Sequence, residues 1–416
     1  MVEKPYEWKE GATLAKHSKR KHKIVGEYFR RYLRERCKNP NSRRFRLAVV
    51  DGFSGGGRYQ DGSPGSPVIF AETLLKAVAE INAERAGGGM PSVEVECLMI
   101  LNDTDPEAVL KLEGAVAPFV ALALEEGSNV VLQVEFHQGE FEALVDEFCA
   151  RVESGRYRNV IYNLDQCGHS RVNRETVARL VRSEKSVEVF LTYAVETLIA
   201  FLNRSNPDII RRQLEYLNLR PGALAFTDEL VSKNEWLGTA ERIVFEHFRK
   251  CAPFVTPFSI NNPGGWRYWF MHFASAYRAR QVYNDVLHEN STEQAHFGRA
   301  GLRMLSYDPD HENSSLYLFD AGSREVARQQ LPDDIPRLVS DGGDTIGISE
   351  FYRSIYNETP AHSDDIHSAI FESPDLEVLT TSGNQRRAPH TISLDDTLRL
   401  KKQLSFYLPN TSKDRK

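Results

Sequence analysis

Four acidic residues are spaced so that each follows an apolar run: Asp51 after Phe45 to Val50, Asp103 after Val93 to Leu101, Glu140 shortly after Val130 to Phe136, and Asp165 after Asn159 to Leu164. A carboxylate at a strand end can accept both hydrogen bonds of a ribose diol, or one from an amino group of a base. Beside the first of them runs DGFSGGG, with Gly52, Gly55, Gly56 and Gly57 in a single turn, followed by Ser66 and Pro67 opening a helical pattern. Glycines let a backbone approach a ligand closely, and Ser-Pro suits a helix start. The turn reads equally as a cofactor loop or as a tight structural turn. Each acid read singly is as well explained as a helix cap or a solvated side chain.

These residues need elements to hold them. Between the apolar runs lie helical patterns opening at Ser66, at Pro106 and after Phe141, and Val187 to Thr192 reads as a fifth strand. Such alternation predicts a mostly parallel sheet covered on both faces. Phe254 to Ile260 and Arg267 to Ser275 flank NNPGG, a composition that predicts an antiparallel hairpin closing the sheet. Methyltransferase-type sheets end this way, and nicotinamide-type ones usually do not. Residues 203 to 250 read as an inserted or flanking helical segment with Trp236 and Phe245 in its core. Residues 348 to 358, 363 to 371 and 391 to 405 are short helical candidates, and the polar stretch from Val378 to Pro389 reads as a wing. Short helices with a small β wing suggest a winged helix-turn-helix.

Totals narrow the class. The chain has 416 residues, 41% hydrophobic and 26% charged, an ordinary globular composition and, at ~150 residues per domain, two or three domains. No apolar run nears the ~20 residues of a membrane span. Five scattered cysteines without CxxC spacing and no apolar leader give the expectation of a cytoplasmic protein without a metal site. Residues 1 to 46 hold fifteen Lys or Arg and five Glu, against a net charge of −6 for the whole chain. This basic arm, carried on a helix over 14 to 36, would suit nucleic acid phosphates, or is simply a helix with a solvated cationic face. Residues 345 to 416 carry nine basic and ten acidic side chains, which favours protein docking over DNA for the winged helix.

KHSKRKHKIVGEYFRRYL, DGFSGGGRYQDGSPGSP, LNDTDPEAVLKLE, HQGEF and NLDQCG together resemble the three-Cys-motif partner proteins, and GGWRYWFMHFAS resembles that family's late hairpin. The resemblance covers nearly the whole chain. It implies an α/β class I methyltransferase-like Rossmann sheet with a C-terminal winged helix-turn-helix domain. The expected division is a basic helical arm (1–46), the Rossmann domain (47–300), a linker region (301–345) and the winged helix (346–416). It further implies S-adenosylmethionine as cofactor. Asp51, Gly55 and Gly57, with Gly52 and Phe53 in the same turn, would line its methionine and ribose end. Asp103 would hold the ribose, and Glu140 with Phe141 the adenine. Asp165 to Gly168 stands where many such enzymes carry an acceptor-binding Asp-Pro-aromatic-Gly; here the chain has Gln166 and Cys167, with no ring to stack on a flipped base.

Asp165 and His169 are the candidate catalytic residues, orienting the acceptor or taking its proton. His169 reads alternatively as a surface residue, and Cys167 as a buried thiol rather than a nucleophile. The expected function is methyl transfer to nucleic acid or to a partner protein. The alternatives are a non-catalytic adaptor for a three-cysteine-motif protein of the radical, iron–sulfur type, and a DNA-binding regulator.

Overall fold

The computed structural model describes residues 8–9, 11–14, 16–166, 168, 171–183, 186–194, 245, 247–256, 259–261, 267–290, 294–295, 302, 317 and 319–401. His169, Cys167, Trp236 and residues 203 to 244 of the expected helical segment lie outside this set; Phe245 lies within it and is buried. The chain divides into two compact units, Met1–Val282 and Tyr283–Lys416.

In the first unit, five strands run parallel in the order β3 (Val130–Gln138), β2 (Glu94–Asp103), β1 (Arg44–Asp51), β4 (Asn159–Leu164), β5 (Ser186–Tyr193). The centres of β1, β2, β4 and β5 are near-continuous buried runs because both faces are covered, whereas the edge strand β3 alternates buried and exposed residues in its first half. The residues from Leu47 to Val50 and from Leu98 to Leu101 have no exposed surface. Beyond β5 the direction reverses. β8 (Arg267–Ala274) pairs antiparallel with β5, and β6 (Phe254–Thr256) and β7 (Ser259–Asn261) pair antiparallel with successive halves of β8. The expected closing hairpin is therefore present, and β6 and β7 share one edge of β8, giving a mostly parallel α/β sheet.

Helices α2 (Ser66–Gly87), α3 (Pro106–Ala123), α4 (Phe141–Ser154) and α5 (Arg174–Val181) connect the strands. The first is opened by Pro67 near its start, the second by Asp105, whose side chain accepts from Glu107 N. The N-terminal helix α1 (Lys16–Cys37) lays Tyr28, Phe29, Tyr32 and Leu33 on the sheet and on α2. Tyr28 meets Phe190 of β5 at 5.1 Å between ring centroids, and Phe29 meets Phe70 of α2 at 5.1 Å. Beneath α1, the Tyr28 hydroxyl and His272 both bond the buried Glu188 of β5. Much of the arm's positive charge is met inside the unit. Arg30 pairs with Glu80 at 2.7 Å, Arg34 with Glu84 at 2.6 Å, and Arg46 with Glu96 at 2.6 Å.

The second unit holds helices α7 (Ala321–Asp341), α8 (Ile348–Ile355) and α9 (Ser363–Glu372) and a three-stranded antiparallel sheet. Its strands are β9 (Thr345–Gly347), β10 (Leu376–Leu379) and β11 (Thr397–Leu400), with β11 central. The division between the units falls inside α6 (Tyr277–Glu289). Helices followed by a sheet with a long β10–β11 connection make a winged helix-turn-helix. One expectation is corrected: of the helix expected over 391 to 405, Thr391 only closes a short 3-10 turn (Pro389–Thr391), residues 392 to 401 are not helical, and 402 to 405 lie outside the described residues. Asp395 and Asp396 sit in a turn, and Thr397–Leu400 is strand, with Leu398 fully buried between exposed or half-buried neighbours. That alternation has period two, which the leucine spacing of the segment masks. Among the described residues, no helix is long and apolar enough to cross a membrane.

Candidate functional site

At the carboxyl ends of β3, β2, β1 and β4, the turns are laced together by hydrogen bonds. Asn102, next to last in β2, is fully buried and donates through its amide to Gly52 O at 3.1 Å and to Gly139 O at 3.0 Å. It thereby joins the turn after β1 to the turn after β3. Ser54 N donates to Asn102 O at 2.8 Å, Gly139 N to Asp103 O at 3.1 Å, and Gly52 N to Asn163 O at 3.0 Å. Four strand ends that are far apart in sequence thus form one rim. Asn102 Oδ1 is buried there without a hydrogen-bond partner among the described residues.

The acids occupy different depths of this rim. Asp51 has no exposed surface; it accepts from Phe53 N at 3.3 Å and from Asn163 Nδ2 at 3.0 Å. Burial pushes its carboxyl up to about 7, against the pull of hydrogen bonds from Ser66, Asn163 and Phe53. Asp103 is half-buried. One oxygen accepts from Gly55 N at 2.8 Å and the other from Asp105 N at 2.9 Å. Burial raises its carboxyl too. A carboxylate has about four lone-pair sites, so with Gly55, Asp105 and Thr104 as backbone partners Asp103 keeps accepting capacity for a ligand. Glu140 is exposed at the N-cap of α4, making no side-chain cap.

Asp165 is held from an unexpected direction. Its carboxylate pairs with the ammonium of Lys21, a residue of α1 whose side chain is only 5% exposed while that of Asp165 is 21% exposed. Lys21 Nζ also reaches Thr192 Oγ1 of β5 at 3.4 Å. Burial alone would raise Asp165, but the Lys21 charge and hydrogen bond, with that of Thr192, hold it below the usual carboxylate range. The next residue, Gln166, is buried and accepts from Arg171 N and Val172 N at 2.9 and 3.0 Å, fixing the turn beyond.

The glycines are spoken for on their Cα side. A Cβ on Gly56 would come within 2.6 Å of the Trp8 ring, and one on Gly55 would strike the same ring. A Cβ on Gly57 would lie 2.7 Å from Ala115 of α3, and one on Gly52 2.7 Å from Phe141. Gly55 and Gly57 have φ of +59° and +74°, conformations that favour glycine. Trp8 is buried with Ala12 and Ala108 and roofs the turn. Phe141 is buried too, 6.0 Å from the half-buried Phe53 ring.

The structure thus brings Asp51, Gly52, Phe53, Gly55, Gly57, Asp103, Phe141 and Asp165 to one rim, with Glu140 at its exposed edge. It adds Lys21, Thr192, Asn102, Asn163 and Trp8, which sequence reasoning did not single out. Lys21 left a signal. It falls in the buried register of α1, with Ser18, His22, Val25, Tyr28 and Phe29, and a lysine on the apolar stripe of a helix needs a buried anion.

A family model described as the GMT-like wHTH domain matches residues 306–383. The matched stretch includes α7, α8, α9 and β10, in agreement with the winged-helix geometry of the second unit. No curated protein matches the chain.

Proposed function

We propose that the α/β unit is an S-adenosylmethionine-dependent methyltransferase acting on nucleic acid or on a partner protein, with a class I methyltransferase-like Rossmann sheet. The observation that carries this reading is the common rim. Asp103, Asp51 and Asp165 end three adjacent parallel strands, β2, β1 and β4, around one glycine turn. Ligands of open α/β sheets bind outside the carboxyl ends of the strands. The strand order, with its antiparallel ending, also supports the reading.

The residues fit the cofactor. Asp103 has lone pairs left for a ribose diol, Glu140 is free of capping duty at the place where an adenine amino group would bond, and the half-buried Phe53 offers a ring edge in the same turn. Phe141 acts from beneath, as the floor of Gly52. The bound cofactor supplies a methyl group on a sulfonium, which needs alignment rather than a metal or a general acid. Lys21 keeps Asp165 ionised, so its exposed edge accepts a hydrogen bond from the N–H or O–H of an acceptor. Thr192 fixes the rotamer of that pair. His169 remains the candidate for taking the acceptor proton. Isothermal titration with the cofactor and a radiolabelled methyl-transfer screen over DNA, RNA and cell protein test the proposal; absence of both binding and transfer overturns it.

One observation favours the adaptor reading for the second unit. Residues 319 to 401 carry fifteen acidic and eight basic side chains. The Arg386 and Arg399 side chains beside the wing are themselves paired, with Asp396 at 2.9 Å and Glu377 at 2.6 Å. Such a surface repels DNA and suits a protein partner, for which a three-cysteine-motif protein is the candidate. Co-purification with that partner, unaffected by the loss of cofactor binding, supports the adaptor role.

A further inference from the structure

We infer that a second, cationic face of the first unit, running along α5 to the amino ends of β4 and β5, docks the phosphodiester backbone of a nucleic acid. Two grooves, of about 650 and 370 Å³, meet there and share Arg179 and Ser183. Between them, among the described residues, they are lined by Arg156, Arg158, Arg174, Arg179, Arg182 and Lys250, against Glu153 and Glu175. In a chain of net charge −6 this is a marked concentration of positive charge.

Two of the six cations are internally matched, Arg174 with Glu175 at 2.8 Å and Arg179 with Asp146. The other four, Arg156, Arg158, Arg182 and Lys250, form no ion pair among the described residues. Like charges gathered without partners repel one another, and an external anion relieves that repulsion. Ser183 Oγ, on the shared wall, is buried with no hydrogen-bond partner among the described residues.

Arg156 gives a further indication. It follows the C-cap of α4, where Tyr157 N donates to Val152 O at 3.1 Å and Arg156 N to Glu153 O at 2.8 Å. This is a Schellman ending, and Arg156 takes its left-handed position with φ of +56°. Glycine normally stands there, since a side chain costs about 1 kcal/mol in that conformation. The chain puts a guanidinium at that point of the groove instead.

Arginine forks match phosphate oxygens in pairs. Arg174 and Arg182 are eight residues apart on one stripe of α5 and its C-cap, or ~12 Å along the axis. At about 3.4 Å per nucleotide in a duplex strand, that is roughly three phosphates, more than a mononucleotide would use. The apolar lining residues Val160, Leu180 and Val187 are buried at the base of the groove, so the rim is charged. A protein partner would want an apolar centre, which these lining residues do not present.

The test is fluorescence anisotropy of the full chain with fluorescein-labelled 20-nucleotide RNA and DNA between 50 and 200 mM KCl. The expected result is binding that weakens with salt. The variant Arg156→Ala/Arg158→Ala/Arg182→Ala should bind at least tenfold more weakly and lower the salt slope by about 2 for single strands. The Lys versions of the same three positions should keep most of the binding, and thermal melts show whether each variant is folded. Lack of oligonucleotide binding by the parent chain, or equal binding and slope in the folded Ala variant, overturns the inference. So does tighter binding of ATP or of a polyglutamate peptide than of the oligonucleotides. Cofactor binding is a separate measurement, so this surface stands or falls independently of the methyltransferase reading.

Discussion

The amide of Gly55 donates to the carboxylate of Asp103 across 2.8 Å, so the glycine turn of β1 and the tip of β2 are tied together. Asp103 therefore has two tasks in the proposed site. It holds the loop in its left-handed conformation, and it keeps accepting capacity for a diol. Any variant at this position has to be read with both in mind.

The Trp8 roof over the same turn can be tested by a pair of substitutions. Trp8→Ala should cost about 3–5 kcal/mol as a large-to-small change in a packed cluster. Gly55→Ala should cost more than the ~1 kcal/mol of left-handed strain alone, because its methyl meets the Trp8 ring. In the double variant the clash disappears, so the two losses should sum to less than additive. Urea unfolding of the four proteins measures this, and strict additivity would mean that ring and turn do not touch.

Lys21→Met should strand the Asp165 carboxylate in a largely buried setting, at a cost of about 3–5 kcal/mol near pH 7. Adding Asp165→Asn should recover much of it. The sign of the pH effect is fixed by the low position of Asp165. Its stabilising pairing is complete above the unfolded value of about 4 and is lost as pH falls through the folded value. The Lys21→Met penalty should accordingly shrink at acid pH, where the carboxyl takes up a proton, and denaturant midpoints at pH 7 and pH 4 check it.

Asp51 works in the opposite sense. Its carboxyl is raised from 3.8 to about 7. Below pH ~4 both folded and unfolded chains carry the proton. Between ~4 and ~7 the unfolded chain has lost it while the folded chain keeps it, so stability declines as pH rises through that window, by as much as ~4 kcal/mol. Asp51→Asn should flatten that part of the stability profile. Thermal melts across pH 4 to 8 measure it, and an unchanged slope in the variant would contradict the assignment.

The sheet was legible because its inner strands are apolar on both faces and an acid stands at or just after the ends of β1 to β4, and every expected strand from Phe45 to Thr192 lies within a residue or two of an observed one. The antiparallel ending was legible from the NNPGG turn. What could not be read was contact between distant segments. Lys21 lies 144 positions before Asp165 and shows itself only as a cation in a buried register. Trp8 gave no sign that it would cover Gly55 and Gly56. At Phe141 the pattern located the helix start but not the inward direction of the ring. In the winged helix, the leucines of residues 391 to 401 hid a short strand whose pairing with β9 and β10 is non-local.

Calorimetric titration of the full chain with S-adenosylmethionine tests most directly whether the laced rim holds that cofactor. The expected result is saturable binding that Asp103→Ala abolishes, while the distant Arg156→Ala/Arg158→Ala/Arg182→Ala variant binds as the parent does. Heat of dilution alone with the folded parent protein, or binding that is indifferent to loss of the Asp103 carboxylate, would contradict it.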